Sequence, residues 1–390
     1  MNHKIAIISV LLLVSLMSAT SEEFSVPAAG YSLDLPEQWQ PLDISDLARI
    51  SYTDATQTAV LQVLVYAADT FARASDMFTQ IKTGLKADGE GAPFMFSGDD
   101  AVLSDLQFDT ARFRARGYFI FVNGKQFDYA LLSFTPASEY AAQHDFLLSA
   151  LDSFAIGEDG KLQPGPISQF YYPFPGQNKE SYLLTLAEKT YTAQLDHKEA
   201  EATQVLVERE ARVLNNSKGD FIEAWRRYYK LIYRDNYRRL GDLSKLLRQA
   251  FLFDGEGRRE KIGRLLSWIQ KFEYYRTGTI SDLTSPTASA FSRAGDCDSR
   301  ALLLVIFLHQ LGIDAILLVS TEYSHSAVGV DADGPGARVD YKGKSYLFAE
   351  VTEEVDLGLV DRNMADPAAW IAVPLGAAAS EVSEPVPALN

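Results

Sequence analysis

The sequence is poor in the residues from which disulfides and metal sites are built, because it contains one cysteine, Cys297, and five histidines among 390 residues. A single thiol cannot pair within its own chain, which excludes a framework of internal disulfides. The histidines are scattered and show no zinc-ligand spacing, so we expect no metal site and no cofactor. The lone thiol is either a small buried core residue or a functional group, and the residues around it decide between the two.

Positive charge is also scarce. The chain carries 36 Lys and Arg against 52 Asp and Glu, a net charge of −16 at pH 7. A phosphate backbone needs a cationic protein surface, so this balance argues against a general nucleic-acid-binding protein and against simple adhesion to anionic lipid. The length is typical of two or three globular domains.

Hydrophobic runs of a length that could span a membrane are missing, and the run that comes nearest to it lies at the N-terminus. Lys4 precedes an apolar run over residues 5–17, and Ala19 and Ser21 place small residues at the two positions that a signal peptidase reads. This pattern predicts a cleaved signal peptide at residues 1–21 and therefore an exported protein, either periplasmic or secreted. An uncleaved anchor is the alternative, but the run is short for a membrane span. We expect no stable membrane span after the signal peptide is removed.

Composition and periodicity divide the rest of the chain. Turn-forming and aromatic residues mark a linker, and apolar residues at three- and four-residue spacing mark helices. The predicted parts are an α/β domain at 22–156, a Pro/Gly/aromatic linker at 157–178, a helical segment at 179–254, a further domain at 255–375 and a disordered tail at 376–390.

The first domain alternates strand and helix patterns. Residues 30–36 alternate as a strand that ends at a proline, and residues 59–66 form a second, more buried strand. Helical spacing follows over residues 75–85, and Asn123-Gly124 between two apolar runs predicts a hairpin. This order, completed by a closing helix, resembles the PsbP-like fold, in which a sheet is sandwiched by helices. The resemblance implies a binding or docking module and supplies no catalytic residue.

The helical segment carries several arginines between its aromatic residues. One interpretation is a basic aromatic surface that contacts an acidic polymer, such as a cell-wall or surface glycan. The other is an amphipathic helix whose arginines are solvated or paired with nearby acids. The arginines concerned are Arg226, Arg227, Arg234, Arg238 and Arg239.

Cys297 stands between a polar segment and a long apolar run. Residues 294–300 read Ala-Gly-Asp-Cys-Asp-Ser-Arg, and the run from Ala301 to Leu308 is unbroken. The pattern predicts a buried helix with the cysteine at its N-terminus. The helix dipole and the unpaired N–H groups there stabilise a thiolate, which is the nucleophilic form of cysteine. Asp296 and Asp298 oppose this effect unless they cap the helix or turn toward solvent.

Two further residue types that thiol chemistry needs follow in the sequence. His325 opens a strand pattern with small residues after it, and Glu350 ends the apolar stretch of a later strand. An imidazole within reach takes the thiol proton and later protonates the leaving group, while a third polar group orients the ring. Two alternatives stay open: His325 as the cap of a strand end, and Glu353 or Glu354 in place of Glu350.

These pieces in this order resemble the bacterial transglutaminase-like, papain-fold family. Gly-Asp-Cys-Asp before a helix, His-Ser-Ala-Val-Gly-Val and Tyr-Leu-Phe-Ala-Glu-Val-Thr match the family's Cys, His and acid positions. The resemblance implies that Cys297, His325 and Glu350 are catalytic. It also implies that Gln270, on the preceding helix, donates to the oxyanion beside the Cys297 N–H. Ser326 follows His325 where many members have an aromatic residue, which leaves the substrate open.

The sequence therefore predicts an α+β protein with an N-terminal PsbP-like α/β sandwich, a central helical segment and a C-terminal transglutaminase-like (papain-like) domain, in which the Cys-bearing helix packs on an antiparallel sheet. The predicted function is exported, cysteine-dependent acyl transfer on the peptide or side-chain amides of a protein or peptide substrate, through a thioester. A peptidase or amidase is the first expectation, because water needs no second substrate site. A cross-linking transglutaminase and a catalytically inactive binding or scaffold protein are the alternatives.

Overall fold

The computed structural model describes residues 23–36, 38–186, 189–253 and 257–376. The predicted signal peptide at 1–21 and residues 377–390 of the predicted tail lie outside the described residues. The described chain is an α+β protein, built from mostly antiparallel sheets and from helices. None of its described helices has the length and the apolar character that crossing a bilayer requires.

The N-terminal domain is a sheet with a helix on each face. Its elements in chain order are β1 (Glu23–Val26), β2 (Tyr31–Asp34), β3 (Gln40–Asp46), β4 (Arg49–Thr53), β5 (Val60–Ala67), α1 (Ala74–Leu85), β6 (Asp88–Phe96), β7 (Asp99–Asp109), β8 (Arg114–Asn123), β9 (Phe127–Pro136), α2 (Tyr140–Asp152) and β10 (Ala155–Ile156). Strands β3 to β9 form one antiparallel sheet in the order β3-β4-β5-β9-β8-β7-β6, and β1, β2 and β10 form a smaller sheet. Met77 of α1 and Leu147 of α2 belong to separate buried clusters on opposite faces. The predicted sandwich is confirmed.

The sequence located the inner strands of this sheet and missed the outer ones. The hairpin at Asn123-Gly124 is confirmed, since β8 and β9 pair with Asn123 opposite Asp128. Strand β3 at one edge is exposed at every residue, and β6 at the other edge contains two glycines and a proline. Neither has the apolar alternation by which a half-buried strand is recognised, because edge strands contribute little to the core.

The predicted linker is packed against the protein. It contains two short helices, α3 (Gly157–Gly160) and α4 (Pro166–Tyr171). The Asp152 carboxylate accepts hydrogen bonds from the N–H groups of Ile167 and Ser168 at 2.9 and 3.0 Å, which fastens α4 to the end of α2. Residues 157–178 are thus an ordered connection, and their prolines stiffen it rather than detach it.

The central segment begins with a hairpin and continues as helices. Its elements are β11 (Glu180–Leu186), β12 (Lys189–Leu195), α5 (His197–Asn215), α6 (Phe221–Tyr237) and α7 (Gly241–Phe253). Asp196 and Asp220 cap α5 and α6 by accepting main-chain N–H hydrogen bonds, which accounts for where these two helices begin.

Of the two interpretations of the arginines on this segment, the structure favours the amphipathic helix with paired arginines, because these side chains are buried or paired. Arg227, Arg234 and Arg239 are 3%, 8% and 4% exposed. Arg226 pairs with Glu223 on its own helix, and Arg238 lies 3.3 Å from Asp159. Buried guanidinium groups need partners in the protein and cannot serve a polymer in solvent.

Three buried arginines of the central segment have partners in the first domain. Arg234 donates to the main-chain carbonyl oxygens of Ser153 and Phe154, both at 2.6 Å. Arg209 of α5 lies 2.6 Å from the Asp152 carboxylate, and Arg227 donates through Nη2 to the Ser149 hydroxyl oxygen at 2.9 Å. These contacts tie α5 and α6 to the end of α2.

The C-terminal domain carries the sequence motifs. Its elements are α8 (Arg258–Gln270), β13 (Glu273–Tyr274), α9 (Pro286–Ser292), β14 (Ala294–Gly295), α10 (Cys297–Gln310), β15 (Ala315–Ser320), β16 (His325–Val330), β17 (Arg338–Tyr341), β18 (Lys344–Ala349) and β19 (Ile371–Pro374). The last five strands form an antiparallel sheet in the order β17-β18-β16-β15-β19. Helix α10 packs on β15 and β16, and every residue from Ala301 to Leu308 is fully buried. The helix-borne cysteine packed on an antiparallel sheet is confirmed.

The central segment and the C-terminal domain share one hydrophobic core. Leu206 of α5 and Ile232 of α6 belong to the same buried cluster as Leu304 of α10 and Leu317 of β15. The predicted division at 254/255 therefore does not separate two cores, and α6 stands directly against the helix that carries the thiol.

Candidate active site

The start of α10 is fixed by two residues that precede the thiol. Asp296 is the N-cap, and its carboxylate accepts hydrogen bonds from the N–H and the hydroxyl of Ser299 at 2.9 and 2.6 Å. Gly295 is tightly enclosed, because a Cβ there would lie 2.7 Å from the Ser299 Cβ and 2.8 Å from the Ser289 hydroxyl oxygen. The predicted position of Cys297 at a helix N-terminus is confirmed, and the capping acid accounts for it.

The environment of the thiol opposes ionisation. Cys297 is 5% exposed. Burial raises the thiol pKa to about 12, the carboxylates of Asp298 and Asp296 add to this rise, and main-chain N–H groups of Ser326 and Asp298 act in the opposite direction. The predicted stabilisation of a thiolate by the helix N-terminus is therefore outweighed in this structure. The two acids are not turned toward solvent, which is why they act on the sulfur.

Asp298 is held in place by two hydroxyl groups. Ser326 donates to its Oδ1 atom, and Tyr229 of α6 donates to the same oxygen at 3.1 Å. Burial raises the Asp298 pKa, although these two hydrogen bonds and the nearby His325 favour the ionised form. Sequence analysis missed Tyr229, which is separated from Asp298 by 69 positions. No local pattern signals a contact over that distance in the chain.

His325 and Glu350 form a hydrogen-bonded pair. Strand β16 pairs with β18 so that Val328 lies opposite Ala349, which places Glu350 beside the start of β16. His325 Nε2 lies 2.9 Å from Glu350 Oε2 and 3.2 Å from Oε1. The carboxylate accepts only, so Nε2 carries the proton and donates, and the second ring nitrogen, Nδ1, is left with a lone pair in the neutral ring.

Glu350 is itself oriented by the residue two positions later. Its Oε1 atom accepts hydrogen bonds from the N–H and the hydroxyl of Thr352 at 2.8 and 2.6 Å. Burial opposes ionisation of Glu350, but the hydrogen bonds from His325 and Thr352 outweigh it and hold the Glu350 pKa below its ordinary value. The competing acids, Glu353 and Glu354, are exposed and lack this contact with His325.

The sulfur and the imidazole lie in the same site without a hydrogen bond between them. The main-chain N–H that faces the Cys297 sulfur belongs to Ser326, the residue directly after His325. In the part of the chain that the structure describes, no hydrogen bond joins Cys297 to His325. The structure thus joins His325 to Glu350 and sets the N–H of Ser326 beside the Cys297 sulfur, and a triad of Cys297, His325 and Glu350 stays a prediction.

Gln270 does not occupy the predicted oxyanion position. The residue is buried, and its Nε2 atom donates to the main-chain carbonyl oxygens of Glu350 and Val355, both at 2.9 Å. Both amide protons are used in these bonds, which leaves neither for a substrate. Gln270 instead ties α8 to the segment that follows β18.

Among the described residues, no group of His, Cys, Asp and Glu is arranged to hold a metal ion. His309, inside the apolar helix, is bound on both sides by protein groups. Its Nε2 atom lies 2.8 Å from the Ala315 carbonyl oxygen and its Nδ1 atom lies 2.8 Å from the Tyr233 hydroxyl.

Neither a family model nor a curated protein matches the chain. Among solved structures, the PsbP protein of Synechocystis sp. PCC 6803 is similar with a TM-score of 0.31 and 12% identity, over 37% of this chain and 97% of that one. A candidate cysteine protease from Cytophaga hutchinsonii is similar with a TM-score of 0.25 and 11% identity, over 86% and 83% of the two chains. A candidate protease from Parabacteroides distasonis has a TM-score of 0.21 and 11% identity, over 78% and 68%. TM-scores this low carry no argument about activity.

Proposed function

We propose that this chain is a cysteine-dependent acyl-transfer enzyme, in its simplest form a peptidase or amidase, with Cys297 as nucleophile, His325 as base and Glu350 as the residue that orients the base. One observation carries the proposal: the His325–Glu350 hydrogen bond at 2.9 Å, on a carboxylate that Thr352 fixes in turn. With Nε2 donating to Glu350, His325 Nδ1 carries the lone pair that can accept a proton, and the N–H of the next residue, Ser326, interacts with the Cys297 sulfur.

The reaction begins with transfer of the Cys297 proton to His325. The sulfur attacks the carbonyl carbon of a peptide or side-chain amide, and the carbonyl oxygen becomes an oxyanion. Because both amide protons of Gln270 are already used, main-chain N–H groups at the start of α10 stabilise the oxyanion. His325 returns the proton to the nitrogen as the C–N bond breaks, which releases an amine and leaves a thioester.

Water resolves the thioester in the same site. His325 takes a proton from water, the hydroxide oxygen attacks the thioester carbon, and the C–S bond breaks to restore the thiol and release a carboxylic acid. Because burial and two acids raise the thiol pKa to about 12, the resting protein holds a thiol. Attack therefore requires His325 as the base, and we expect loss of His325 to lower the reaction rate as much as loss of the Cys297 sulfur does.

The proposal includes export and a protein or peptide substrate. The signal-peptide pattern at 1–21 supports export, and the N-terminal domain is proposed as the module that docks the substrate or a surface. A primary amine in place of water would give cross-linking from the same thioester, so the two outcomes differ in the acceptor and not in the site.

A catalytically inactive binding or scaffold protein is the second candidate. The observation that favours it is the nearly enclosed thiol, which has a raised pKa and no hydrogen bond to His325 in the described structure. The two candidates differ in whether an acyl group is ever transferred to sulfur.

A peptide-library digestion decides between them. The chain from residue 22 onward, its C297S and H325A variants and an E353Q control are incubated with a mixed peptide library, with and without a primary amine, and products are read by mass spectrometry. We expect cleavage by the wild type and E353Q, and rates at least about 10⁴-fold lower for C297S. Equal product in wild type and C297S, or none in either, contradicts the enzyme.

A further inference from the structure

Arg300 is a buried cation three positions after the thiol, and the sequence analysis gave it no role. It lies in the first turn of α10 and is 2% exposed. The described structure shows no ion pair between its guanidinium group and a carboxylate. A guanidinium group keeps its proton in proteins, so Arg300 brings a positive charge into the interior beside the site.

The guanidinium group reaches three separate stretches of main chain. Nε donates to the Gly295 carbonyl oxygen at 3.0 Å, Nη2 to that of Phe272 at 2.6 Å, and Nη1 to that of Val351 at 3.4 Å. Gly295 belongs to the turn that presents the thiol, and Val351 directly follows Glu350. Phe272 precedes β13, which pairs with β14 so that Tyr274 lies opposite Gly295.

The charge of Arg300 acts on the same groups that its hydrogen bonds position. Asp296, Cys297 and Glu350 are all close enough to interact with it electrostatically. One of these, Asp296, is an acid that opposes a negative sulfur, and the buried positive charge of Arg300 offsets it. The Arg300 side chain thus connects the turn before Cys297 with the segment after Glu350, both through hydrogen bonds and through its charge.

We propose that Arg300 is a positioning residue for the Cys297 site: its guanidinium fork holds the turn that carries the thiol in register with the segment that carries Glu350, and its charge favours the negative sulfur. This proposal rests on the proposed function, in which Cys297 is the nucleophile. Lysine is not an adequate replacement, because its single nitrogen cannot span three carbonyl oxygens although it keeps the charge.

The chain contains a matched control in Arg234. That residue is also a buried arginine whose guanidinium group donates to main-chain carbonyl oxygens, those of Gln163, Asp152, Ser153 and Phe154. It lies at the junction of α6 with the first domain. Substitution of Arg234 therefore removes a comparable set of buried hydrogen bonds without touching the cysteine turn.

The test measures alkylation of Cys297 by iodoacetamide from pH 6 to pH 10 in R300K, R300Q, R234K, R234Q and wild type. The chain has one cysteine, so mass spectrometry reads this residue alone. Each variant is first shown to be folded by circular dichroism. Because the thiolate is the reacting form, we expect R300Q to label about tenfold more slowly than wild type at pH 8 for each unit by which the pKa rises. R300K is expected between the two, and both Arg234 variants at the wild-type rate.

A second readout reports position rather than acidity. The His325 Nε2 proton, hydrogen-bonded to Glu350, is identified in a proton NMR spectrum by its loss in H325A. We expect it to shift in R300K and to stay in place in R234K. The proposal is overturned if R300K is alkylated at the wild-type rate and its His325 Nε2 proton does not shift. It is also overturned if R234K changes both readouts as much as R300K does. Neither readout needs turnover, so failure of the proposed enzyme activity is seen separately in the peptide digestion.

Discussion

Tyr229 of α6 donates its hydroxyl to the carboxylate of Asp298, the residue directly after the candidate nucleophile, at 3.1 Å. The central helical segment is therefore part of the candidate site and not a separate module. The same oxygen of Asp298 accepts from Ser326, the residue directly after His325. One carboxylate thus connects α6, the thiol helix and the strand of the candidate base.

The Y229F variant removes the α6 end of this connection. Because a buried hydrogen bond to a charged group is lost, we expect the free energy of unfolding to fall by about 1.5–3 kcal/mol. Urea unfolding followed by circular dichroism measures it. Y237F on the same helix is the control, since the described structure shows no hydrogen bond from that hydroxyl. A loss in Y237F as large as in Y229F contradicts the assigned role of the contact.

The D298N variant is expected to make the thiol more reactive. Asp298 is the charged group that contributes most to raising the Cys297 pKa, and asparagine keeps an oxygen that accepts from Ser326 and Tyr229 while it removes the charge. The thiol pKa then falls, and alkylation at pH 8 accelerates about tenfold for each unit of the fall. D340N, at an exposed position of β17, is the control. Unchanged alkylation in D298N would show that the charge of Asp298 does not raise the thiol pKa.

The E350Q variant tests the third member of the candidate triad. A glutamine amide has no charge to stabilise a protonated His325, so we expect product formation to fall by about 10²–10⁴-fold with little change in the amount of folded protein. Initial rates on a peptide cleaved by the wild type measure the effect. E353Q and E354Q replace the two exposed acids that compete for this role in the sequence. Activity lost in either of them, and kept in E350Q, reassigns the triad.

The contribution of Glu350 to stability is expected to depend on pH in a defined direction. Its pKa in the folded protein is held below the ordinary value of 4.5. An acid with a depressed pKa stabilises the fold above its ordinary pKa, and this stabilisation is lost as the pH falls through the depressed value. The difference in unfolding free energy between wild type and E350Q is therefore expected to shrink between pH 7 and pH 3. Urea titrations at both pH values check it, and a difference that grows on acidification has the wrong sign.

Much of the C-terminal domain was predictable because its signals are local. Asp296 as a cap and the apolar run to Leu308 define α10 within a few turns, and these cues act over three or four residues. The order of Cys297, His325 and Glu350 and their placement at element ends followed from the same kind of pattern. The inner strands of the first domain were found for that reason, whereas the exposed strand β3 was not.

The ionisation state of the Cys297 thiol was not predictable from the sequence. A helix N-terminus favours a thiolate, but the result depends on whether Asp296 and Asp298 face solvent or protein, and that depends on Tyr229 and Ser326 from distant parts of the chain. The same reasoning applies to the arginines of α6. Spacing alone does not tell a solvated cation from one buried against acids and carbonyl oxygens of another domain.

The sequence by itself determined which residue types are present, in what order, and on which kind of element each stands. Only the tertiary structure decided the partners: Gln270 with two carbonyl oxygens, Glu350 with His325, and Arg300 with three stretches of main chain. The physical reason is the distance along the chain over which each kind of interaction acts. Helix and strand patterns arise from neighbours a few positions apart, whereas the charge and hydrogen bonding of a buried side chain are set by whichever distant segments the fold packs around it.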